Sequence, residues 1–396
     1  MKTRDKFFEP LDPQVLSNPY PSYRRLREAH PVYWHEQLQS WVLTRYADCV
    51  TVLNNSDLFA ADFRRIGIPT PAPLLSLQTL DPPEQNQLRN FAINAVRAQD
   101  FDALERDAHV RADRLMEALA TREQIDFLAE LTGPFTLGTI CRLLGVEPPE
   151  QDETWARLND DLHRSMDAQL APDSEQAGLD ARAAFTALVG RWLTGNVSPG
   201  IVEYIKNNIQ AAGVSQDVLL NSVRAFWHAG FEVPSRFLCN AMLALVQNGA
   251  LRELAKSASL DQAIEELLRY AAPVHAVSRA CTEDTKLGSQ SIRRGDIVIV
   301  MIAAANRDPE LFERPDELVL DRTPNPHIGF GRGAHACLGG HIARMEARVV
   351  FSRVAWQFKD AELAAQPDPR PNATLHGPAH LMLRLKKVAV AEAALA

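Results

Sequence analysis

Residues 327–346 read HIGFGRGAHACLGGHIARME, and the interpretation of the whole chain starts from this stretch. Three glycines, Gly329, Gly331 and Gly333, form a loop whose backbone is free to adopt positive φ angles. Cys337 follows and opens a predicted amphipathic helix. A thiol at a helix N-terminus faces unpaired N–H groups and the positive end of the helix dipole. The stretch therefore predicts a lowered pKa for the Cys337 thiol, which favours the thiolate that binds metals.

Several roles for Cys337 remain open on these residues alone. The backbone amides of Leu338 and Gly339 are placed to donate to its sulfur and to tune a bound metal. A lone cysteine is more often a small buried hydrophobe. The spacing of His335, Cys337 and His341 allows a zinc cluster, although no fourth ligand is near. A catalytic Cys–His nucleophile would need a third group to hold its base, and the sequence identifies none.

The composition is that of a globular protein and excludes some classes of function. The 396 residues are 46% hydrophobic and 23% charged, and their net charge of −8 argues against a nucleic-acid partner. No stretch approaches about eighteen apolar residues, and no apolar segment follows the charged N-terminus, so neither a membrane span nor a secretory signal is expected. Five scattered cysteines without a CxxC pair suit a cytoplasmic location.

Helical periodicity dominates the chain, and no repeat or long linker divides it. A capping-box spacing between Ser259 and Gln262 marks one helix start. The periodicity predicts helices at about residues 20–30, 82–119, 123–145, 150–167, 176–195, 214–248, 260–270 and 340–358. Brief strand-like runs occur at residues 33–34, 41–43, 297–301 and 381–383. The pattern predicts one mainly α domain over residues 1–396 with a small β-region.

The predicted helix over residues 214–248 is the longest and would extend about 50 Å. Pro234 near its centre removes the N–H that should bond the Gly230 carbonyl, so a kink is expected. Two interpretations are open at this point. The kink is purely structural in a buried helix, or a flat ligand lies against the glycine with Glu232 beside it.

The spacing F-G-x-G-x-H-x-C-x-G over residues 330–339 resembles the haem-ligating signature of the cytochrome P450 family. Glu266 and Arg269 resemble the family's ExxR helix, and Arg322 matches the third member of that ion-pair triad. Residues 81–89 and 306–309 also resemble family segments, and the resemblance runs from about residue 18 to 385. It implies the cytochrome P450 fold, which is mainly α with a small β-region and a long central helix over haem.

The resemblance implies haem b as the cofactor, with Cys337 thiolate as the iron ligand. Phe330 is then expected beside the sulfur, and Gly331 and Gly339 belong to the same signature. The haem propionates need cations, and the matching positions are Arg89, Arg279 and His335. Gln85 stands where many relatives carry histidine, so its contact with haem is expected to be weaker or absent.

The resemblance also implies separate electron donors, because the haem domain uses up the whole chain. A ferredoxin and its reductase are expected, unless peroxide replaces them. Arg332, Arg344 and Arg348 lie near the cysteine loop and form a candidate surface for an acidic electron-transfer partner. As exposed arginines, they are equally consistent with simple solvation.

The distal helix departs from the family's pattern at one position. Ala229, Gly230 and Glu232 match it, but Val233 replaces the threonine and lacks the hydroxyl that relays protons to bound dioxygen. We expect a substrate hydroxyl or carboxylate to supply the missing hydrogen bond. Two alternatives are water in the groove opened by Pro234, with Glu232 as proton source, and peroxide-using or radical-coupling chemistry.

The expected activity is the hydroxylation of a small organic molecule, in natural-product metabolism. The candidate substrate-pocket residues are His228, Ala225, Val274, His275 and Leu375. For His228 the alternative is that its ring points sideways and is satisfied by a neighbouring helix. A different class of function also remains open: the protein could be a haem-free relative of the family that acts only as a partner of another enzyme.

Overall fold

The computed structural model describes residues 7–385, and most of this part of the chain is helical. The helices are α1 Pro13–Ser17, α2 Tyr20–Ala29, α3 Tyr46–Asn54, α4 Glu84–Arg97, α5 Phe101–Leu119, α6 Gly133–Leu144, α7 Glu153–Arg164, α8 Glu175–Thr194, α9 Ile201–Asn208, α10 Gln216–Gln247, α11 Leu251–Lys256, α12 Leu260–Tyr270, α13 Ile302–Ala305 and α14 Gly340–Gln357. No helix within residues 7–385 is long and apolar enough to cross a membrane.

In the part of the chain that the structure describes, three small sheets make up the β-region. The strands are β1 Val32–His35, β2 Ser40–Leu43, β3 Phe59–Ala60, β4 Gln124–Asp126, β5 Ala276–Cys281, β6 Thr285–Leu287, β7 Gln290–Ile292, β8 Ile297–Met301, β9 Glu362–Leu363 and β10 Met382–Arg384. The largest sheet has the order β1-β2-β8-β5-β3, in which β2 and β8 are parallel and the other pairs antiparallel. The others are β4-β10-β9 and the hairpin β6-β7. The prediction of a mainly α protein with a minor sheet is confirmed.

Local chemistry sets several helix boundaries. The predicted helix over residues 82–119 is two helices, because Asp100 caps the start of α5 by accepting from the Ala103 N–H at 2.8 Å. The predicted capping of α12 is present, since the Ser259 hydroxyl accepts from the Gln262 N–H at 3.3 Å. The stretch predicted as a helix from residue 123 begins instead with β4 and a π-helical turn before α6.

Helix α10 is the central element and extends about 48 Å over its 32 residues. The helix continues through Pro234. A side chain at Gly230 would collide with Ile140 of α6, so the glycine allows a neighbouring helix to approach closely. The Thr136 hydroxyl, also on α6, donates to the Phe231 carbonyl at 2.8 Å. The helix around the proline is therefore held by direct packing and hydrogen bonding against α6.

A buried ion-pair network joins α12 to the segment that leads into the cysteine loop. Arg269 donates to both carboxylate oxygens of Glu266 at 2.7 and 2.8 Å, and Arg322 donates to Glu266 at 3.0 Å. Glu266 also accepts from the Val319 amide and from Asn325. Because both arginines share the Glu266 carboxylate and also donate to backbone carbonyls of residues 306–317, the network fixes the segment that precedes residue 327.

Candidate functional site

The cysteine loop has a defined backbone that its glycines make possible. Gly331 and Gly333 have φ angles of 65° and 71°, in the left-handed region that favours glycine. A side chain at Gly333 would also collide with the Leu53 carbonyl of α3. The Cys337 amide donates to the Phe330 carbonyl at 2.9 Å and closes the loop. Helix α14 begins only at Gly340, so Cys337 lies three residues before the helix that it was expected to open.

The surroundings of the Cys337 sulfur differ in part from the prediction. The Gly339 amide donates to the sulfur, as expected, and the charges of Arg344 and Arg89 also favour the thiolate. Burial of the thiol outweighs these effects and raises its pKa, so the predicted lowering is wrong. The Cys337 residue keeps accessible surface although protein atoms surround its sulfur, whereas the other four cysteines are buried.

Cys337 forms the floor of a cavity of about 350 Å³, and α10 forms the opposite wall. Such a volume falls within the range of small-molecule sites in proteins. The cavity brings together many predicted site residues: Cys337, Arg89, Arg279, His335, Phe330, Gly331, Gly339, Ala225, Ala229, Gly230, Val233 and Val274. Further apolar side chains line the cavity: Ile140, Phe226, Phe237, Leu268, Ile302 and Ile342. The cavity therefore suits a mostly apolar ligand.

Two arginines give the cavity a cationic edge. Arg89 donates to the Ala336 carbonyl at 2.7 Å, and Arg279 donates to the Ser278 carbonyl at 2.8 Å. Within residues 7–385 neither forms an ion pair with a carboxylate, and burial lowers the pKa of each. Arg279 is buried and Arg89 is partly buried, and guanidinium groups that have no carboxylate in an ion pair within residues 7–385 favour an anionic ligand. The thiol, the apolar walls and this edge fit the chemistry of a haem with two propionates.

His335 lines the same cavity, but both of its ring nitrogens already have partners. Its Nε2 atom lies 2.9 Å from Asp81, and its Nδ1 atom accepts from Gln85 Nε2 at 3.1 Å. Gln85 itself is buried and does not line the cavity. Arg89 and Arg279 are therefore the cavity cations that can still bind an anionic ligand. Gln85 does not line the cavity itself but contacts His335, which does.

Three candidate pocket residues do not line the cavity. The His228 ring packs against His163 and Phe231 at centroid distances of 5.1 and 5.3 Å, which agrees with the sideways alternative. His275, just before β5, contacts the Tyr23 hydroxyl through its Nδ1 atom at 2.9 Å and does not line the cavity. Leu375 is buried where it pairs with Val274. Helix and strand geometry separates these side chains from their cavity-lining neighbours.

Glu232 also lies outside the cavity lining, in a buried ion-pair cluster. Its Oε1 atom accepts from Arg236 at 2.8 Å and from Arg370 at 3.3 Å. Burial alone would raise its pKa, but His163, at 3.4 Å, and the Arg236 and Arg370 guanidinium groups outweigh burial and hold the pKa well below its ordinary value. Glu232 is therefore an anchored carboxylate, which makes it a poor proton source for the cavity.

Glu346 lines the cavity and was not singled out from the sequence. The available signal was its position on α14, four residues from Ile342 and four from Val350, on an otherwise apolar helix face. An acid among buried apolar side chains is unusual and indicates a special role.

The residues of the zinc alternative do not converge. The His335 ring is engaged with Asp81 and Gln85, and the His341 ring packs edge-on against Phe101 at 4.8 Å. Over residues 7–385 no group of three histidine, cysteine or acidic side chains has the arrangement of a metal site.

Comparison with known proteins identifies the family. The family model of cytochrome P450 matches residues 212–388. The chain is 30% identical over 364 residues to cytochrome P450 109 of Bacillus spizizenii, covering 88% of this chain and 87% of that one. It is 28% identical to cytochrome P450 119 of Sulfolobus acidocaldarius, over 93% and 99% of the two chains. The chain therefore belongs to the cytochrome P450 family of haem-dependent oxidoreductases.

Solved structures show the same fold over nearly the whole chain. The cytochrome P450 PksS of the Bacillus subtilis bacillaene polyketide synthase superposes with a TM-score of 0.84 at 25% identity, covering 96% of this chain and all of that one. The testosterone complex of CYP109E1 from Bacillus megaterium gives a TM-score of 0.86 at 24% identity, over 95% and 100% of the chains. The protein is a cytochrome P450 monooxygenase with the fold that the family's relatives share.

Proposed function

We propose that this protein binds haem b and hydroxylates a small organic substrate. The observation that carries the proposal is the cavity lined by Cys337, by α10 and by two arginines, Arg89 and Arg279, that form no ion pair with a carboxylate within residues 7–385. Cys337 thiolate would hold the iron, and the two arginines would bind the propionates. Haem held by a thiolate supplies the activation of dioxygen. The proposal includes a single domain over residues 1–396 and a cytoplasmic location.

The chain's own residues tune and shield the thiolate. The Gly339 amide donates to the sulfur, which lowers its basicity and stabilises the ionised form. The Arg344 guanidinium lies over the Phe330 ring at 4.6 Å and holds the ring beside the loop. These contacts stabilise the thiolate and hold Phe330 in place beside the cysteine loop.

The substrate is expected to be apolar and to come from natural-product metabolism. Ala225, Phe226, Ala229 and Val233 present an apolar face of α10 to the cavity, so binding depends on shape and buried area. Relatives include a polyketide-biosynthesis cytochrome P450 and a steroid C26-monooxygenase, at 27% and 26% identity. One name refers to polyketide biosynthesis and the other to a steroid, and both support an organic substrate of this kind here.

The acid and threonine that deliver protons in the family are not both available in this protein. Val233 lines the cavity without a hydroxyl, and Glu232 is held in its ion pairs. We expect a hydroxyl or carboxylate on the substrate to hydrogen-bond where the threonine would have done. Peroxide use and radical coupling are the alternatives, and the apolar distal wall favours neither over hydroxylation.

Electrons are expected from a ferredoxin and its reductase. Of the three arginines proposed to attract an acidic donor, Arg344 is paired with Glu265 and Arg348 with Asp261. Arg332 donates to the Tyr46 hydroxyl instead and keeps its net charge. Docking therefore depends on shape as well as on charge, and its salt dependence should be modest.

The absorption spectrum of the dithionite-reduced protein, with and without carbon monoxide, tests the proposal. Thiolate ligation gives a strongly red-shifted Soret band that Cys337→Ala removes, while the matched control Cys281→Ala keeps it. A colourless protein would favour the haem-free partner role, and an unchanged spectrum in Cys337→Ala would refute the ligand assignment.

A further inference from the structure

Two arginines, Arg182 and Arg224, lie together where α8 packs against α10. A hydrogen bond of 2.9 Å from the Thr186 hydroxyl to Asn221 joins the two helices at this point. Arg182 lies one turn before Thr186 on α8, and Arg224 lies three residues after Asn221 on α10. Residues three or four apart share a helix face, so both guanidinium groups belong to this contact.

Neither arginine forms an ion pair with a carboxylate within residues 7–385. Arg224 is 5% exposed, its Nη2 atom donates to the Pro73 carbonyl at 2.9 Å, and its buried Nε atom has no partner in this part of the chain. Arg182 is partly buried and donates to the Ser165 hydroxyl at 2.7 Å and to the Gly178 carbonyl at 3.1 Å. All three of these acceptors are uncharged, so they leave both positive charges unneutralised.

The two positive charges oppose each other inside the protein. Burial and, to a smaller extent, the charge of Arg182 lower the pKa of Arg224 to about 10. A guanidinium group with this pKa is still charged at neutral pH. Like charges in a partly buried contact destabilise the folded state, and an anion bound beside them offsets that cost. The contact therefore favours a negatively charged ligand.

The titratable groups further along the same face of α10 do not supply the missing charge. His228 is buried, which lowers its pKa well below the ordinary value and keeps its ring neutral, and its Nε2 atom has no hydrogen-bond partner within residues 7–385. Glu232, one turn further, already accepts from Arg236 and Arg370. The two arginines of the α8–α10 contact therefore need an anion from outside this cluster.

This contact lies directly behind one wall of the reaction cavity. Ser222 and Ala225, on either side of Arg224 in α10, line that cavity. Leu77 lines it as well, and its amide donates to the Ser222 hydroxyl at 2.9 Å. The Pro73 carbonyl, which accepts from Arg224, belongs to the same segment as Leu77. This end of the cavity is therefore the part from which a ligand can contact Arg224.

We propose that Arg224 and Arg182 bind the carboxylate of the substrate, which is an apolar organic acid. This inference rests on the proposed function and names its substrate class. The apolar body of the acid lies in the cavity against α10, and its carboxylate replaces the Pro73 carbonyl as the acceptor of Arg224. A carboxylate is the better acceptor, because charge-assisted hydrogen bonds are roughly twice as strong as neutral ones. Anchoring one end of the substrate also decides which of its carbons is presented for oxidation.

Binding of decanoate and of 1-decanol, which have the same chain length, tests the proposal. The shift of the Soret band of the haem-loaded protein gives both dissociation constants. We expect decanoate to bind about 10- to 100-fold more tightly than decanol, and Arg224→Gln to remove this preference while it keeps the affinity for decanol. Arg182→Gln, at a partly exposed position, should reduce the preference too. The matched control is Arg191→Gln, at an exposed position of α8, which should keep it.

Three results would overturn the proposal: equal affinities for the acid and the alcohol in the wild type, no binding of decanoate, or a preference that survives in both Arg224→Gln and Arg182→Gln. Sodium acetate, compared with sodium chloride at equal ionic strength, separates the end of a substrate from an independent small anion. We expect acetate to raise the urea midpoint of the wild type but not of Arg224→Gln, and to weaken the binding of decanoate.

Acetate that stabilises the protein without weakening decanoate binding would assign the site to a separate anion and overturn the substrate assignment. Acetate without any specific effect would overturn the anion site itself. The urea measurement does not depend on thiolate ligation of haem. Absence of the thiolate spectrum in the wild type would therefore refute the proposed function separately from this inference.

Discussion

Glu232 and Arg236 lie one turn apart on α10 and are joined by a 2.8 Å hydrogen bond inside the protein. Arg370, from the segment before β10, reaches the same carboxylate oxygen at 3.3 Å. Arg236 also donates to the Pro378 carbonyl at 2.6 Å. The acid of the distal-helix motif therefore ties α10 to the C-terminal segment, and its loss should be seen first in stability.

Glu232→Gln should lower the free energy of unfolding of the haem-loaded protein by about 3 kcal/mol. The substitution removes the counter-charge of the buried Arg236 and one of two carboxylates near the partly buried Arg370, and an unpaired buried charge destabilises the folded state. Urea denaturation followed by tryptophan fluorescence measures the change, and Glu253→Gln on the exposed face of α11 is the matched control. A loss no larger than the control's would show that the cluster is not structural.

The same pair predicts a pH dependence. The pKa of Glu232 is lower in the folded than in the unfolded state, so its stabilisation is present above the ordinary glutamate pKa of about 4.3. That stabilisation is lost as the pH falls below this value toward the folded pKa. The difference in stability between wild type and Glu232→Gln should therefore shrink below pH 4.3. A difference that stays constant down to pH 3 would contradict the assignment.

His163 predicts a second pH window at higher values. Burial lowers its pKa to about 4, whereas an unfolded histidine titrates near pH 6.5. The unfolded state therefore binds more protons between these values, and stability is lost as the pH falls from about 6.5 to 4. Relative to His163→Asn, the wild type should lose about 3 kcal/mol over this window. Parallel curves for the two proteins would refute a neutral buried His163.

Much of this arrangement was predictable from the sequence, for physical reasons that differ by residue. The cysteine loop was predictable, because Gly331, Gly333 and Cys337 each meet a backbone or chemical requirement that few other residue types satisfy. Most helices were predictable too, because the spacing of apolar residues along the sequence reflects which face of each helix is buried. His228 and Glu346 were misjudged or missed, because spacing along one helix does not say which neighbouring helix covers each face. The pKa of Cys337 was also misjudged, since its burial comes from tertiary packing.

Arg279→Leu should weaken haem binding by about 10- to 100-fold. The variant removes a charge-assisted contact with a propionate, which is worth roughly 1.5–3 kcal/mol. Arg279 is buried and forms no ion pair within residues 7–385, so no carboxylate is left unpaired by the change. The rate and extent of haem transfer to apomyoglobin measure the affinity. Arg293→Leu, an exposed position beside β7, is the control, and equal affinities of the two variants would refute the propionate assignment.

Val233→Thr should raise the fraction of electrons recovered in product by roughly two-fold or more, because it places a hydroxyl in the cavity wall where water and dioxygen must be hydrogen-bonded. The two side chains have the same shape, so α10 and its packing against α6 should be preserved. Val233→Ala, which opens space without a hydroxyl, is the matched control and should not improve coupling. The measurement is product formed against reduced nicotinamide consumed and peroxide released. If Val233→Thr and the wild type couple equally with the native substrate, proton delivery does not depend on this position, and the hydrogen bond at the distal side is already complete without it.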